Sequence, residues 1–274
     1  MSNDNSSARN RSALFATIVI PITFVVALLI YHFVLGSPSN FQGGDVHNAP
    51  MPGNYLGIIY SGGPIVPILM TIDLLVVVFS IERFLTISKS RGVNRLEPFV
   101  RKVKELLSAG EIDSAISECD TQKGSVANII RSGLQKYKQV ENEQGMEKEG
   151  KLAAIQKELE EATSLELPML SKNLVIISTC ASIATLVGLI GTVIGMIKAF
   201  AALAQAGAPD AVALASGISE ALINTALGII GSAIAIVMYN FFTTKIDTLT
   251  YGIDEAGFSI VQTFSATHKN HAVK

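Results

Sequence analysis

Two stretches in the second half of the chain decide the fold. They read VGLIGTVIGMIKAF at residues 187–200 and GISEALINTALGIIGSAIAIVMYN at residues 217–240. Each lies in a longer apolar run, 173–203 and 211–242, that is interrupted by a single ionisable side chain. A helix needs about 20 apolar residues to cross the hydrocarbon core of a bilayer. Because only residues 204–210 separate the runs, we expect a tight antiparallel pair of transmembrane helices.

Two further apolar runs precede this pair. Residues 13–35 contain one histidine and no acidic or basic side chain, and residues 62–88 carry Asp73 in their middle and Glu82–Arg83 near their inner end. The first run exceeds the roughly 7–15 apolar residues of a signal-peptide core and no small-residue cleavage site follows, so we expect an uncleaved anchor. The Glu-Arg pair is expected to anchor at the membrane interface. The sequence therefore predicts four transmembrane helices.

The composition agrees with a membrane protein and argues against several other classes. Charged residues make up 16% of the 274 residues and the mean hydropathy is +0.42, whereas soluble chains contain roughly 25% charged residues. A net charge of −2 gives no reason to expect nucleic acid as a partner. The two cysteines have neither a CxxC spacing nor a histidine neighbour, so we expect no disulfide framework and no metal site.

A polar block lies between the second and third apolar runs. Residues 89–172 contain fourteen basic and fourteen acidic side chains. Apolar residues recur in this block at helical spacing, as at Leu152, Ile155 and Leu159, and the tail at residues 243–274 carries the same pattern. We expect an all-α fold in which the membrane helices continue into an amphipathic helical bundle in water.

Lysine and arginine are distributed unevenly between the connecting segments. Residues 36–61 and 204–210 contain neither, whereas residues 1–12, 89–172 and 243–274 all contain some. Basic loops of membrane proteins stay on the cytoplasmic side. We therefore expect both termini and the polar block in the cytoplasm. The 36–61 segment is then an external linker with little capacity for a core.

Small residues form one stripe on each helix of the predicted pair. The stripes include Gly188, Gly191 and Gly195 on the first helix and Gly228 on the second. Such stripes let two helix backbones approach closely, and packing within the hairpin explains most of these glycines. We also expect the stripes to need more neighbours than one hairpin supplies, which predicts a homo-oligomer.

Glu220 is the residue in these helices that packing does not explain. An ionisable side chain inside a span costs roughly 2.5–3.5 kcal/mol on insertion scales, so it usually faces protein or water. Asn224 lies one turn further on, Thr225 lies about 7.5 Å along the axis, and Thr192 is at mid-depth in the preceding helix. Together these groups can order water and pass protons. The alternative for Glu220 is a carboxylate at the level of the outer headgroups. The alternative for Thr192 and Thr225 is that each hydroxyl is hydrogen-bonded to a carbonyl of its own helix and has no part in proton transfer.

Asp73 and Lys198 are the other ionisable candidates at membrane depth. Asp73 has no cation within one turn of its own helix. It can pair with another helix, cap an unwound region near Pro64 and Pro67, or serve the proton path, and it ranks below Glu220. Lys198 lies near the outer end of its helix, where we expect its ammonium to reach the headgroups.

These segments resemble the MotA/TolQ/ExbB proton-channel family. Residues 187–200 and 217–240 are similar to its two signature helices, and their sequence most resembles that of ExbB. GGPIVPILMTIDLLVVVFSIERFLTI at residues 62–87 looks like the first family helix with its Glu-Arg pair, and residues 148–172 resemble the charged helix that leads into the second. The resemblance covers about three quarters of the chain.

The resemblance implies a particular architecture and activity. Family members form a pentamer in the lipid of the bacterial inner membrane, around a pore that holds the transmembrane helices of an ExbD/TolR-like partner. Proton flow drives relative rotation, and the work reaches the outer membrane through a TonB-like or Tol-like protein. The family's pore glutamate matches Glu220 and its two pore threonines match Thr192 and Thr225. Protons are then the coupling ion, and no cofactor, metal or catalytic residue is implied.

The chain departs from the family pattern in four places. Ala184–Thr185 stands where an Ala-Pro pair is frequent, which permits a straighter helix. Asn224 adds a polar group where a small apolar residue is usual, and Asp73 matches no signature feature. The span at residues 13–35 is additional to the usual three and puts the amino terminus inside.

Other functions share parts of this pattern. A TolQ-like subunit for envelope integrity, or a gliding-type motor, would have the same helices and a different partner. A membrane scaffold would keep Glu220 as a structural residue and conduct no protons. A secondary transporter is disfavoured because the sequence shows no inverted repeat. An enzyme is disfavoured because no nucleophile–base or metal constellation occurs in the sequence.

Overall fold

The fold is all-α, as predicted. The computed structural model describes residues 17–143, 145–204 and 210–267. No β-strand occurs within these residues, where an isolated antiparallel bridge joins Phe41 and Pro50. The predicted tail at residues 1–12 and most of the 204–210 connection lie outside the described residues.

Besides three 3₁₀ helices of three residues each, nine helices follow one another within the described part of the chain. They are α1 (Thr17–Leu35, π-helical from Ile30), α2 (Tyr55–Tyr60), α3 (Val66–Arg91), α4 (Leu96–Ser108), α5 (Ile112–Gln122), α6 (Gly124–Glu141), α7 (Lys148–Ser171), α8 (Leu174–Leu203) and α9 (Ala211–Thr267). Four helical segments, which contain α1, α3, α8 and α9, are long and apolar enough to cross a membrane. The four long apolar helices are thus confirmed.

The chain divides into two compact units. The apolar unit comprises Met1–Ser80 and Ile176–Tyr239, and the charged unit comprises Ile81–Val175 and Asn240–Lys274. Helices α3, α8 and α9 each contribute residues to both units. The ionisable candidates predicted from the sequence all belong to the apolar unit.

Helix α9 is one unbroken helix of 57 residues. The sequence predicts that the apolar helix at residues 211–242 continues into a helical tail at residues 243–274, and the structure continues the same helix to Thr267. No proline and no glycine at positive φ interrupts residues 211–267. At 1.5 Å per residue α9 is about 85 Å long, whereas the hydrocarbon core is about 30 Å thick. The helix is therefore more than twice as long as one membrane crossing requires.

The charged unit has an apolar core between amphipathic helices. Helix α4 packs on α5, α5 on α6 and α6 on α7. Ile155 and Leu159 of the predicted α7 stripe are buried, and the ring of Phe264 in α9 meets that of Tyr137 edge to face at 4.8 Å. Residues at helical spacing thus face one another across this core, as the sequence predicted.

Arg83 lies inside the charged unit, where protein groups surround its guanidinium. Its side chain is 3% exposed, donates to the carbonyl oxygens of Met169 at 3.1 Å and Leu170 at 3.0 Å, and pairs with Glu82. Helix α7 ends at Ser171, where its last carbonyls lack helical donors. Arg83 supplies those donors, and the acceptors around it compensate the burial of its charge.

Most of the segment at residues 36–61 is exposed, as expected of a linker with little core, but its first residues contact the end of α1. The buried Asn40 amide donates to the carbonyl oxygens of Val34 at 2.7 Å and Leu35 at 2.8 Å. These bonds close the carboxyl end of α1, which has no helical donors of its own. The rings of Tyr31 and Tyr60 stack with centroids 4.5 Å apart. The segment therefore ties α1 to α2.

Candidate functional site

Helices α8 and α9 meet along a seam in which glycines bring the backbones together. A Cβ atom placed on Gly195 would lie 2.7 Å from the backbone nitrogen of Ala221, and one placed on Gly228 would lie 2.6 Å from the carbonyl oxygen of Ala184. One placed on Gly188 would lie 3.2 Å from Cα of Gly228. Side chains at these positions would force the helices apart, so the glycines set the spacing of the hairpin.

The seam uses the small-residue stripes within a single chain. The sequence argument that the stripes need neighbours from further copies is therefore wrong as it stands. Within the antiparallel hairpin Gly188, Gly195 and Gly228 each face the backbone of the other helix, and Gly191 faces the Asn224 side chain. The expectation of a homo-oligomer then depends on the family resemblance alone.

The same register places Lys198 of α8 against Glu220 of α9. The Lys198 ammonium donates to Oε1 of Glu220 at 2.7 Å and to Oε2 at 2.8 Å. The Glu220 side chain is 8% exposed and that of Lys198 is 50% exposed. Lys198 was expected to reach the headgroups, and its ammonium turns to the carboxylate instead. Glu220 is thus a buried carboxylate whose two oxygens share one cation.

A tight turn before α3 forms the second wall of the site. This entry turn consists of Gly62 and the 3₁₀ residues Gly63–Ile65. Gly63 has φ +74°, and a Cβ atom placed on it would lie 2.6 Å from Oε1 of Glu220. Glycine is the residue that adopts this backbone conformation without strain and leaves room for the carboxylate.

Asn224 connects the entry turn with the seam. Its side chain is fully buried, and Nδ2 donates to the carbonyl oxygen of Gly62 at 2.8 Å. A Cβ atom placed on Gly191 of α8 would lie 2.5 Å from Cβ of Asn224. Oδ1 of Asn224 is buried and accepts no hydrogen bond from the described residues. The amide therefore holds the turn in place and makes the surroundings of Glu220 polar.

The two threonines meet each other, and the single chain does not bring them to Glu220. The hydroxyl groups of Thr192 and Thr225 are hydrogen-bonded to each other. Each hydroxyl oxygen also lies 3.2 Å from a carbonyl oxygen of its own helix, that of Gly188 for Thr192 and that of Ala221 for Thr225. Because each hydroxyl has one proton, one threonine donates to the other and the second donates to its own helix carbonyl. Five residues on α9 correspond to a rotation of about 140°, so Thr225 and Glu220 lie on opposite edges of the seam.

Asp73 lies elsewhere in the apolar unit, on the part of α3 that faces α9. Its side chain is partly buried and contacts α9 at Gly231. No described residue donates a hydrogen bond or forms an ion pair with its carboxylate. Of the uses considered from the sequence, capping near Pro64 and Pro67 is excluded, because the carboxylate packs against α9 two turns further along.

Lys198, which was expected at the headgroups, and Gly63, which no sequence pattern indicated, both belong to the site. Gly195 lies opposite Ala221. Because the two helices are antiparallel, a step of three residues forward on α8, to Lys198, corresponds to a step of three residues back on α9. Lys198 therefore lies within about one turn of Glu220. The glycine stripes therefore contained the signal for the pair. No comparable signal predicts that the entry turn contacts α9.

Known proteins are similar to the part of the chain that carries this site. The MotA/TolQ/ExbB proton channel family matches residues 121–255. The Tol-Pal system protein TolQ of Pseudomonas aeruginosa is 30% identical over 124 residues, 45% of this chain and 54% of that protein. The biopolymer transport protein ExbB of Pseudomonas putida is 27% identical over 161 residues, 58% of this chain and 48% of that protein. TolQ of Haemophilus influenzae is 33% identical over 98 residues, 34% of this chain and 43% of that protein.

The chain spans about half the length of the first two of these relatives. The matched residues include α8, most of α9 and the helix α7 that leads into them. They therefore contain both helices of the seam, the buried glutamate and the threonine pair. On this match, these relatives and its four long apolar helices, the chain belongs to the MotA/TolQ/ExbB proton channel family.

Proposed function

We propose that this protein is an ExbB-like subunit of a proton-driven motor in the bacterial inner membrane. With an ExbD-like partner it energises TonB-dependent transport across the outer membrane. The observation that carries the proposal is Glu220, a carboxylate of a membrane helix whose side chain is 8% exposed and paired with one cation. Membership of a proton channel family supports the same function.

Glu220 has the chemistry that a proton carrier needs. A charged carboxylate at membrane depth is costly, and the ammonium of Lys198 offsets that cost. The group can exchange between a charged, paired state and a neutral, protonated state, and each exchange takes up or releases one proton. Thr192 and Thr225 add hydroxyl groups about 7.5 Å further along the helix axis. We assign Glu220 as the carrier, the two threonines to the proton path, and protons as the only coupling ion.

Asn224 and Asp73 have secondary roles in this proposal. Asn224 holds the entry turn against Glu220 through its bond to Gly62. Asp73 lies on the same side of α9 as Glu220 and deeper along that helix, at the level of Gly231. It would therefore serve the cytoplasmic half of a path that Glu220 begins.

We further propose that five copies surround a pore that contains the transmembrane helices of an ExbD/TolR-like partner. Large apolar side chains on α8 and α9, such as Val193, Ile197 and Val237, are 59% to 65% exposed in the single chain. Membrane lipid and neighbouring copies are the surfaces that suit such side chains. In a pentamer the threonine pair and the carboxylate of adjacent copies would line one pore, and a TonB-like protein would receive the work.

The proposed topology has both termini and the polar residues 89–172 in the cytoplasm. Its support is the absence of lysine and arginine from residues 36–61 and 204–210. Glu220 and Lys198 then lie toward the periplasmic end of their helices. Protons would reach the pair from the periplasm.

A TolQ-like subunit for envelope integrity is the second candidate, and a gliding-type motor would use the same helices. The TolQ of Pseudomonas aeruginosa, at 30% identity, favours the TolQ alternative. The candidates differ in the partner that copurifies with this chain, an ExbD-like or a TolR-like protein. A non-conducting scaffold is the third candidate, and it predicts that Glu220 is dispensable for energy coupling.

The experiment that tests the proposal replaces the chromosomal gene by variants of Glu220. Glu220→Gln keeps the size and hydrogen bonding and removes titration, so energy-dependent uptake through outer-membrane receptors should be lost while assembly is kept. Glu220→Asp should keep part of the uptake because a carboxylate remains at shorter reach. Normal uptake with Glu220→Gln contradicts the proposal. Loss of envelope integrity without loss of uptake would assign the TolQ-like role.

A further inference from the structure

The two members of the Lys198–Glu220 pair differ in how firmly the fold holds them. The Glu220 carboxylate is 8% exposed and lies against Gly63, where even a Cβ atom would come within 2.6 Å of Oε1. The Lys198 side chain is 50% exposed and carries its ammonium on a flexible four-carbon stem. The pair therefore joins a fixed acid to a movable cation.

We propose that Lys198 is a counter-ion that leaves Glu220 when the carboxylate takes up a proton. The position of the Lys198 side chain on α8 then depends on whether Glu220 on α9 is protonated. The inference rests on the proposed role of Glu220 as proton carrier and adds the event that follows loading.

The charge balance of the site gives the direction of this event. Before loading, the carboxylate and the ammonium have a net charge of zero and share two hydrogen bonds. An incoming proton forms an O–H bond on Glu220, which makes the carboxyl group neutral and the site singly positive. Hydrogen bonds between two charged groups are roughly twice as strong as neutral ones, so the ammonium loses its main attraction. Release of the proton restores the pair.

No other titratable group competes for the carboxylate among the described residues. Tyr31 of α1 is within electrostatic reach of Glu220, but its hydroxyl donates to the carbonyl oxygen of Tyr60 at 3.3 Å. The entry turn contributes Gly62 and Gly63, which carry no ionisable group. The cation that responds to loading is therefore Lys198.

The freed ammonium has a place to go. Half of the Lys198 side chain is already exposed, so the stem can turn without moving either helix. Lysine near a helix end reaches the headgroup region readily. The Glu220 side of the site stays in place, because Asn224 holds the entry turn through its bond to Gly62 at 2.8 Å.

The experiment compares amine labelling of Lys198 in the wild type and in Glu220→Gln, a neutral mimic of the protonated carboxyl group. The full chain with its partner is placed in lipid nanodiscs and treated with a water-soluble amine-reactive ester, and modified peptides are quantified by mass spectrometry. Lys157, whose side chain is 75% exposed, is the internal reference. We expect Lys198 to label several-fold faster in Glu220→Gln at an unchanged Lys157 rate. Equal Lys198 labelling in both proteins, including none in either, overturns the proposal.

Two variants provide a functional readout that a merely structural role would not produce. Lys198→Arg keeps a cation and should retain most proton-driven uptake, whereas Lys198→Met keeps the stem and should lose it. Lys245→Met, a lysine of the charged unit, is the matched control and should behave as the wild type. If Lys198→Met transports normally while Glu220→Gln does not, the counter-ion inference fails and the proton carrier stands. If Glu220→Gln transports normally, the proposed function itself fails.

Discussion

The carboxylate of Asp73 occupies the space that a side chain at Gly231 would need. A Cβ atom placed on Gly231 would overlap Oδ1 of Asp73, so the carboxylate packs directly on the backbone of α9. Gly231 lies eleven residues beyond Glu220, a rise of about 16 Å and a rotation of about 20°. The carboxylates of Asp73 and Glu220 therefore lie on the same side of α9 at different depths.

This contact predicts that a methyl group at position 231 is tolerated only without the Asp73 carboxylate. Gly231→Ala should destabilise the protein by about 1–3 kcal/mol, as overpacking does. In the double variant Gly231→Ala/Asp73→Ala most of that loss should disappear, because the added methyl group replaces the removed carboxylate. Apparent unfolding temperatures in detergent measure both effects. Simple additivity of the two single changes would show that the residues do not touch.

The seam between α8 and α9 predicts a position-specific cost of alanine. Gly195→Ala places a methyl group 2.7 Å from the backbone of Ala221 and should lower the unfolding temperature and the yield of folded protein. Gly150→Ala is the matched control, because its methyl group would meet only the flexible Met146 side chain at 3.2 Å. Alanine also favours the helix by about 1 kcal/mol over glycine, so Gly150→Ala should be neutral or stabilising. Equal behaviour of the two variants would contradict the seam.

Cys119 of α5 predicts a loss of stability at alkaline pH. Burial, with smaller contributions from Asp120 and Glu118, raises the pKa of its thiol to about 12, whereas an unfolded cysteine titrates near about 8.5. The folded thiol keeps its proton above that pH and the unfolded one loses it, so stability falls as pH rises through about 8.5. From pH 8.5 to 9.5 the loss is about 1 kcal/mol.

The unfolding temperature of a Cys180→Ala protein, measured across this pH range, tests the cysteine effect. The same measurement on Cys180→Ala/Cys119→Ala is its control and should show a smaller decline. Identical slopes would mean that Cys119 is not buried as the structure shows.

The proposed topology predicts the accessibility of single cysteine probes. In a background with Cys119 and Cys180 replaced by alanine, a probe at Asn48 should react with an impermeant maleimide added outside the inner membrane. A probe at Asn142 should react only after the membrane is permeabilised. Both positions are exposed in the folded chain, so access depends on the side of the membrane. The reverse pattern would invert the topology.

Hydrophobic periodicity predicts the four long apolar helices and the buried face of α7, but not the short helix α2. The apolar run at residues 211–242 predicts a membrane helix. The spacing of Ile155 and Leu159 predicts the buried face of α7, because residues four positions apart lie on the same side of a helix. The sequence also predicts that the membrane helices continue beyond their apolar runs, and α9 continues to Thr267 as one helix.

Contacts between helices were much less predictable. The Arg83 side chain reaches carbonyl oxygens 86 and 87 residues away, and the Gly63 turn contacts Glu220, which depends on how α3 is rotated against α9. Such contacts are set by register and rotation, which composition does not encode. Lys198 is the intermediate case, because the glycine stripes fix the register of α8 against α9 and the pair follows from it.

Proton flux through the reconstituted complex tests the central claim most directly. The full chain and its ExbD-like partner are placed in liposomes with a pH-sensitive dye inside, and an imposed proton gradient drives flux in the wild type and in Glu220→Gln. We predict flux in the wild type and a decrease of at least about tenfold in Glu220→Gln, which corresponds to about 1.4 kcal/mol. Equal flux through both assemblies would contradict the assignment of Glu220 as the proton carrier.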